Sequence, residues 1–255
     1  MQEQFVRTQM LLGEAAMKRL ADCRVAVFGI GGGGGYVVEG LARSGIGALD
    51  LIDHDQVSLS NLNRQIIATL DTVGEYKVDA AAERIRSINP GCRVRAHRVF
   101  YLPETKEQFD FRDYDYVVDA IDTVTGKLAL VEAAREAGVP IICAMGAGNK
   151  LDASAFQVAD IYETSVCPLA KVMRRECRKR GIEALKVVYS QEEPLQPLPI
   201  AGADDTSRTG ADDRTPASAD QSVSGKRTPG STAFAPSVMG LIIAGEVVRD
   251  LTNLI

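Results

Sequence analysis

Hydrophobic and polar positions along the chain alternate between short apolar runs and longer segments with a helical repeat. The apolar runs are bounded by glycine, proline or polar residues and predict strands, whereas apolar residues at every third or fourth position predict amphipathic helices. The predicted strands are residues 24–29, 48–53, 93–99, 116–121 and 140–145, and the predicted helices are residues 34–44, 77–89 and 125–137.

This alternation is typical of an α/β fold in which a parallel sheet has helices on both faces. We therefore predict a Rossmann-like, doubly wound, mostly parallel sheet. Residues 155–162 and 185–189 predict additional antiparallel strands at the C-terminal side, and residues 238–248 predict a buried or interfacial helix.

Residues 191–231 differ in composition from the rest of the chain. They contain five prolines, many small polar residues and no aromatic residue. Such a segment cannot bury enough apolar surface to fix its own conformation. We predict a flexible insertion at residues 191–231, either a tolerated loop or a lid, within a single domain made of residues 1–190 and 232–255.

Composition is that of an ordinary globular chain, with 45% hydrophobic residues and a net charge of −5. The first residues lack the basic start and apolar core of a signal peptide, and no apolar run reaches the roughly 20 residues that cross a bilayer. We expect a cytoplasmic protein without membrane association. The odd number of cysteines, five, in such a chain predicts free thiols, and none of them forms a Cys-x-x-Cys pair.

A glycine-rich turn, Gly29-Ile30-Gly31-Gly32-Gly33-Gly34, follows the first predicted strand and leads into a predicted helix. Glycine lets the backbone approach a phosphate, and the helix N-terminus supplies N–H donors. Asp53 ends the next strand, where a dinucleotide fold places the carboxylate that binds a ribose hydroxyl. By itself this pattern fits NAD or FAD as well as ATP.

The residues after Asp53 favour ATP, since a triphosphate carries more charge than the pyrophosphate of NAD. They include Asp55, the run Ser60-Asn61-Leu62-Asn63-Arg64-Gln65, and Lys77. Arginine, lysine and a divalent ion are the usual stabilisers of phosphate charge. As alternatives, Arg64 could be a solvated loop residue and Lys77 an ordinary exposed lysine.

Asp122 follows the apolar run of residues 116–121. Ligands of open α/β sheets bind at the carboxyl ends of strands, so a site role is favoured for Asp122. Asp119 lies inside the run and is compatible with a structural role.

Taken in order, these motifs resemble the ThiF/MoeB/ubiquitin-activating-enzyme superfamily, whose members adenylate a carboxylate with ATP and magnesium. The resemblance is carried by Arg7, the glycine turn, Asp53-His54-Asp55, SNLNRQ, Lys77 and Asp119-Ala120-Ile121-Asp122. It covers residues 1–190 and the C-terminal residues.

The resemblance implies a role for each motif. Asp53 would hold the ribose, Lys77 would stabilise charge at the transferred phosphorus, and Asp122 would bind Mg²⁺. Arg7 would reach into the site of a partner subunit, which requires a homodimer. The implied catalytic residues are Arg7, Arg64, Lys77 and Asp122. The implied ATP-binding residues are Gly29, Gly31, Gly32, Gly34, Asp53, Asp55, Ser60, Asn61, Asn63, Arg64, Gln65, Lys77, Asp122 and Thr123.

The chain departs from the superfamily pattern at two points. Gly33 stands where an aliphatic residue is usual, so we expect a more flexible turn. ThiF- and MoeB-type members usually carry two Cys-x-x-Cys pairs for structural zinc, and this chain has neither.

Residues 168–180 predict a helix with one strongly basic face, formed by Lys171, Arg174, Arg175 and Arg178. Such a face suits a phosphate backbone and predicts tRNA binding, although a solvated helix face explains the same pattern.

The missing zinc cysteines and the basic helix make the chain most similar to the tRNA threonylcarbamoyladenosine dehydratase group. That resemblance implies adenylation of the carboxylate of N6-threonylcarbamoyladenosine in tRNA, followed by cyclisation and net loss of water. Because the attacking ureido group is tethered, no enzyme thiol is required, and Cys167 is assigned no catalytic role. A sulfur-relay protein is a possible further partner.

Three other functions share part of this pattern. The first is adenylation of the C-terminal glycine of a ubiquitin-like sulfur carrier, against which the missing Cys-x-x-Cys pairs count. The second is a non-catalytic ATP-sensing module, which would need fewer charged residues. The third is an NAD-dependent oxidoreductase, for which the chain lacks a Tyr-x-x-x-Lys motif.

Overall fold

The computed structural model describes residues 3–198 and 229–254. The strands in these ranges are β1 (Arg24–Phe28), β2 (Ala48–Ile52), β3 (Arg93–His97), β4 (Tyr116–Asp119), β5 (Ile141–Ala144), β6 (Phe156–Asp160) and β7 (Lys186–Ser190). The α-helices are α1 (Val6–Leu12), α2 (Glu14–Asp22), α3 (Gly34–Arg43), α4 (Lys77–Ile88), α5 (Val124–Ala137), α6 (Pro168–Lys179) and α7 (Phe234–Thr252).

The strands form one sheet in the order β3-β2-β1-β4-β5-β7-β6. All neighbouring strands are parallel except β6, which is antiparallel to β7. The predicted Rossmann-like α/β fold is therefore confirmed, including antiparallel pairing at the C-terminal side. Within the described ranges, no helix has the length and apolar character that a bilayer span requires.

β1 lies in the middle of the sheet, between β2 and β4. Its apolar sequence packs on both faces, as a central parallel strand must. One face is covered by a core that includes residues of α3, α4 and α7, and the other by aromatic residues and α5. Because successive strands are added on opposite sides of β1, a crevice opens at the carboxyl ends of β1 and β4.

The first five predicted strands all extend one or two residues beyond their observed carboxyl ends. The prediction of residues 116–121 ends in the structure at Asp119, and that of residues 140–145 ends at Ala144. The apolar sequence continues, but the chain turns there, since the Ile121 amide donates to the Asp119 carboxylate. The residues after β4 therefore form a loop at the crevice.

α7 packs closely against α3 through small residues. A side chain on Gly40 would meet the Ala244 Cβ at 2.6 Å, and one on Gly240 would meet the Gly33 carbonyl oxygen at 2.3 Å. Helix backbones approach this closely only where side chains are missing or small. The C-terminal helix thereby joins the same core as the strands before it.

Both described ends of the predicted insertion are hydrogen-bonded to the loop after β5. The Leu151 and Asp152 amides donate to the Glu192 carboxylate. On the other side, the Gly230 amide donates to the Asn149 Oδ1 atom at 2.7 Å. Residues 199–228 lie outside the described residues, and the prediction of a flexible segment stays a prediction there.

Candidate active site

The glycine turn between β1 and α3 is shaped by the close approach of backbone atoms. Gly29 has φ of 89°, and a Cβ there would lie 2.6 Å from the Ala120 carbonyl oxygen. A Cβ on Gly34 would lie 1.8 Å from the Gly29 carbonyl oxygen. Only glycine fits these two positions. A Cβ on Gly31 would meet nothing within 4 Å, so that backbone faces open space.

Gly32 and Gly33 make room for α7 instead. A Cβ on Gly32 would meet Pro236 at 3.2 Å, and one on Gly33 would meet the Met239 Cε at 2.7 Å. Gly33 has helical dihedral angles, and its carbonyl accepts from the Val37 amide. Gly33 therefore lies against α7, where a larger residue would displace the end of the Met239 side chain.

Asp53 lies at the end of β2 and holds the glycine turn. Its Oδ2 accepts from the Ile30 amide at 2.7 Å, and its Oδ1 accepts from the Asp55 amide at 2.9 Å. Each carboxylate oxygen has a second lone pair, so a ribose hydroxyl could still donate to it. The structure adds a supporting role that the sequence motif alone did not predict.

Lys77 is the first residue of α4, and its side chain is buried. Its Nζ lies 2.6 Å from the Asp55 Oδ2. The His54 Nε2 lies 3.2 Å from the other oxygen of the same carboxylate, Oδ1. A lysine in the first turn opposes the helix dipole, which Asp55 offsets. The alternative of an ordinary exposed lysine is wrong for Lys77.

The SNLNRQ run forms a compact loop between β2 and α4. Asn61 is buried, and its Oδ1 accepts from the Ser58 amide at 3.1 Å. The Gln65 amide donates to the Asn61 carbonyl, while the buried Gln65 Oε1 has no hydrogen-bond partner among the residues that the structure describes. Ser60 is exposed and pairs with the Ser58 hydroxyl. Asn61 therefore shapes the loop, which presents its neighbours to the crevice.

Arg64 projects from this loop towards the glycine turn. Its Cγ lies 3.7 Å from where a Cβ on Gly32 would be. Its guanidinium donates to the Ser60 carbonyl and to the Asn63 Oδ1, at 2.8 and 2.9 Å. Burial lowers the pKa of this guanidinium. Held by neutral acceptors, Arg64 keeps its positive charge available beside the turn.

Residues at the C-terminal end of the predicted insertion and after it also contact the site, and the sequence patterns did not reveal this. The Asn63 side-chain Nδ2 donates to the Ser231 carbonyl at 3.0 Å. Five residues later, Pro236 packs beside Gly32. The segment before α7 therefore runs along both the SNLNRQ loop and the glycine turn.

Asp122 and Thr123 form the loop between β4 and α5, at the opposite wall of the crevice. Asp122 is exposed, whereas the Thr123 hydroxyl is buried without a partner in the described residues. Behind them, Asp119 and Lys127 form a fully buried ion pair. Burial raises the pKa of the Asp119 carboxyl, and Lys127 opposes this rise. The structural role considered for Asp119 is confirmed.

Lys127 itself was missed by the sequence analysis. Its neighbours Leu128, Leu130 and Val131 are buried, and Lys127 lies on the same inward-facing part of α5. A lysine within a run of buried helical positions is rare unless it is paired. That pattern, with an aspartate in the preceding strand, was the available signal.

Arg7 is exposed on α1, and within the described residues no hydrogen bond joins it to the loops of the crevice. The single chain therefore does not bring Arg7 to the other predicted residues. Its assignment stays a prediction that depends on a second subunit.

The basic face of α6 consists of residues with different surroundings. Arg174 is half-buried and donates to the Thr164 carbonyl and hydroxyl. Arg178 lies over the Tyr162 ring, while Lys171 and Arg175 are exposed. The Arg174 guanidinium therefore binds within the protein, and Arg174 does not belong to the exposed basic face.

All five cysteines are free and buried. Burial raises the pKa of the Cys23 and Cys177 thiols, and that of Cys143 most strongly. Cys167 is buried as well, and its thiol donates to the Met145 carbonyl oxygen. Burial therefore disfavours the thiolate form of Cys23, Cys143 and Cys177.

The residues at the crevice fit both ATP and magnesium. The open space at Gly31 leaves backbone exposed at the start of α3, which suits a phosphate. Asp122 offers an exposed carboxylate, the oxygen ligand that Mg²⁺ prefers. Asp53, His54 and Asp55 also lie together, within 4.8 Å, but Lys77 already neutralises Asp55.

Comparison with known proteins places the chain in a family. The ThiF family profile matches residues 5–254. A Bacillus subtilis (strain 168) protein named tRNA threonylcarbamoyladenosine dehydratase is 42% identical over 252 residues, which cover 98% of this chain and 95% of that protein. An Escherichia coli (strain K12) protein of the same name is 43% identical over 203 residues, which cover 76% of each.

A solved structure is similar over nearly the whole length. It is E. coli tRNA N6-threonylcarbamoyladenosine dehydratase in complex with ATP, with a TM-score of 0.83, 32% identity, and coverage of 98% of this chain and 94% of that one. From the glycine turn, the SNLNRQ loop and these similarities together, we conclude that this chain belongs to the ThiF family.

Proposed function

We propose that this chain is an ATP-dependent dehydratase that acts on N6-threonylcarbamoyladenosine in tRNA. The observation that carries the proposal is the convergence of the glycine turn, Arg64, Lys77 and Asp122 at one crevice, in a chain similar along its length to proteins named for that activity. The positive groups and the carboxylate suit ATP-driven activation of an acid.

The glycine turn and Arg64 bind the phosphates, and Asp53 binds the ribose while holding the Ile30 amide. Gly29 and Gly34 keep the turn's shape, whereas Ser60, Asn61, Asn63 and Gln65 keep the loop's shape around Arg64. Asp122, beside Thr123, would hold Mg²⁺, which would supply further neutralisation of phosphate charge.

Lys77 stabilises the charge that develops when the carboxylate of the modified nucleoside attacks the α-phosphorus of ATP and pyrophosphate leaves. Asp55 keeps the ammonium in position before the nucleotide binds. The ureido group of the same nucleoside then attacks the activated carbonyl, and AMP leaves. Because both reacting groups belong to one molecule, the second step is effectively unimolecular.

We further propose a homodimer in which Arg7 of each subunit contributes to the partner's site. Its exposure on α1 leaves the side chain free to do so. Residues 1–190 and 232–255 act as one adenylation domain that surrounds the 191–231 insertion. Since the substrate is tRNA, the protein acts in the cytoplasm, and a sulfur-relay protein is a further candidate partner.

tRNA docks, in this proposal, on the exposed basic face of α6. Lys171, Arg175 and Arg178 follow one another at helical spacing and point to one side of the helix. Arg175 and Arg178 are exposed even though Arg175 contacts Glu176 and Arg178 contacts Tyr162. Arg174 contributes indirectly, by fixing the helix to Thr164.

The test is conversion of tRNA that carries the modification. The purified chain with ATP and Mg²⁺ should yield a nucleoside lighter by one water molecule, detected by mass spectrometry of digested tRNA. ATP–pyrophosphate exchange should be stimulated by modified tRNA and not by a ubiquitin-like carrier protein. Exchange stimulated only by the carrier would replace this proposal with the sulfur-carrier function.

A further inference from the structure

The Asp119–Lys127 pair is the most deeply buried ion pair of the described residues, with both side chains fully shielded from solvent. The Lys127 Nζ lies 3.1 and 3.0 Å from the two Asp119 carboxylate oxygens. It also donates to the Ala144 carbonyl at the end of β5, at 2.7 Å. All three donors of the ammonium are therefore used, and the pair joins β4, β5 and α5.

The loop between β4 and α5 is attached to the Asp119 side chain at one end and to the backbone of the first turn of α5 at the other. The Ile121 amide donates to the Asp119 Oδ1 at 3.2 Å. The Lys127 amide donates to the Thr123 carbonyl at 3.0 Å. Between these two attachments lies the exposed Asp122. The position of the Asp122 backbone therefore depends on the residues behind it.

A buried ion pair often adds no stability, because replacing it with well-packed apolar residues of similar size often leaves a protein equally or more stable. An apolar pair, however, could not accept from the Ile121 amide. The carboxylate both accepts from that amide and binds Lys127, and Lys127 fixes the carboxylate against Ala144. What the charged pair adds is a defined position for the loop.

We propose that Asp119 and Lys127 are positioning residues that hold the 120–123 loop so that the Asp122 carboxylate meets the divalent ion of bound ATP. This inference rests on the proposed function, in which Asp122 binds that ion. Neither residue touches the nucleotide or the ion.

The experiment compares two neutral double variants. Asp119→Asn with Lys127→Met keeps an oxygen that accepts from the Ile121 amide, whereas Asp119→Leu with Lys127→Met removes that acceptor at nearly equal size. Mn²⁺ binding is measured by electron paramagnetic resonance in the presence of a non-hydrolysable ATP analogue. The Leu-containing variant should need about tenfold more Mn²⁺ than the Asn-containing variant, the usual loss when a supporting partner is removed.

Tyr116→Phe is the matched control, because it breaks a hydrogen bond to Asp250 at the other end of the same strand. It should lower the Tm and leave Mn²⁺ binding unchanged. Equal Mn²⁺ binding by the two double variants would overturn the inference. If the Leu-containing variant does not fold, Lys127→Arg decides, since its larger planar group displaces Asp119; unchanged Mn²⁺ binding there would also overturn it.

Asp122→Asn separates this inference from the proposed function. A large loss of Mn²⁺ binding in Asp122→Asn, with no difference between the double variants, would reject only the positioning role. Unchanged binding in Asp122→Asn would remove the metal assignment of the proposed function itself.

Discussion

The Lys77 Nζ lies 2.6 Å from the Oδ2 atom of Asp55, and the two partners differ in exposure. The Lys77 side chain is 8% exposed, whereas that of Asp55 is 44% exposed. The ammonium is thus fixed inside the protein while its counter-ion is partly exposed to solvent. Such an arrangement holds a positive charge in place before substrate binds, which is the condition for efficient stabilisation of a developing negative charge.

Lys77→Met should lower ATP–pyrophosphate exchange by about 10²–10³-fold, the range found when one such stabilising donor is removed. Methionine keeps the apolar length of the side chain, so the Tm should change little. Lys18→Met, a change of an exposed lysine on α2, is the control and should leave exchange unaffected. Exchange in Lys77→Met within twofold of wild type would exclude a role at the transferred phosphorus.

Gly31→Ala should weaken ATP binding without affecting folding, whereas Gly34→Ala should destabilise the fold. A Cβ on Gly31 meets open space, so Gly31→Ala should fold normally but bind ATP more weakly, because the methyl group occupies the phosphate's approach. A Cβ on Gly34 would lie 1.8 Å from the Gly29 carbonyl oxygen, so Gly34→Ala should unfold or lower the Tm strongly. Calorimetry of ATP binding and thermal melts measure the two effects.

ATP binding to Gly31→Ala that equals wild type would show that phosphates do not approach this part of the turn. A wild-type Tm for Gly34→Ala would contradict the described backbone contact.

The fold could be predicted from the sequence because its periodic signals are strong. The apolar run of β1 predicts a buried strand, and the apolar repeat of α4 predicts an amphipathic helix. The glycine turn then predicts the edge of the sheet at which the site lies. What could not be predicted are contacts between residues far apart in the chain. The hydrogen bond from Asn63 to Ser231 spans the whole insertion, and no local pattern encodes it.

The hydrogen-bond partners of individual side chains could not be predicted from the sequence either. Helical spacing places Arg174 with Arg175 on the basic face, but spacing does not show that Thr164 lies within reach of its guanidinium. Similarly, Asp53 matches a ribose-binding motif, yet the motif does not show that its carboxylate also holds the Ile30 amide. Each case depends on a loop whose path is set by tertiary packing.

Stability should fall between pH 9 and about pH 11 because of Cys92, and Cys92→Ala should reduce this fall. Burial is the largest cause that raises the pKa of this thiol to about 11, partly opposed by Arg93, from an ordinary value of 9.0. The raised value favours the neutral thiol of the folded state. Its contribution is therefore complete below pH 9 and is lost as the pH rises through about 11.

Thermal melts of wild type and Cys92→Ala from pH 8 to about pH 11 measure this effect. The other titrating groups are the same in both proteins, so the difference in Tm reports Cys92. Parallel Tm curves for wild type and Cys92→Ala would contradict it.

Removing the exposed basic face of α6 should weaken tRNA binding and reduce its salt dependence. In the triple variant Lys171→Ala, Arg175→Ala, Arg178→Ala, each lost phosphate contact should lower the slope of log affinity against log salt by about 0.7–0.9. Arg174→Ala is the matched control: its guanidinium bonds to Thr164, so its loss should lower the Tm but leave the slope unchanged. Filter binding at several salt concentrations measures the slope, and an unchanged slope in the triple variant would identify the face as solvated surface.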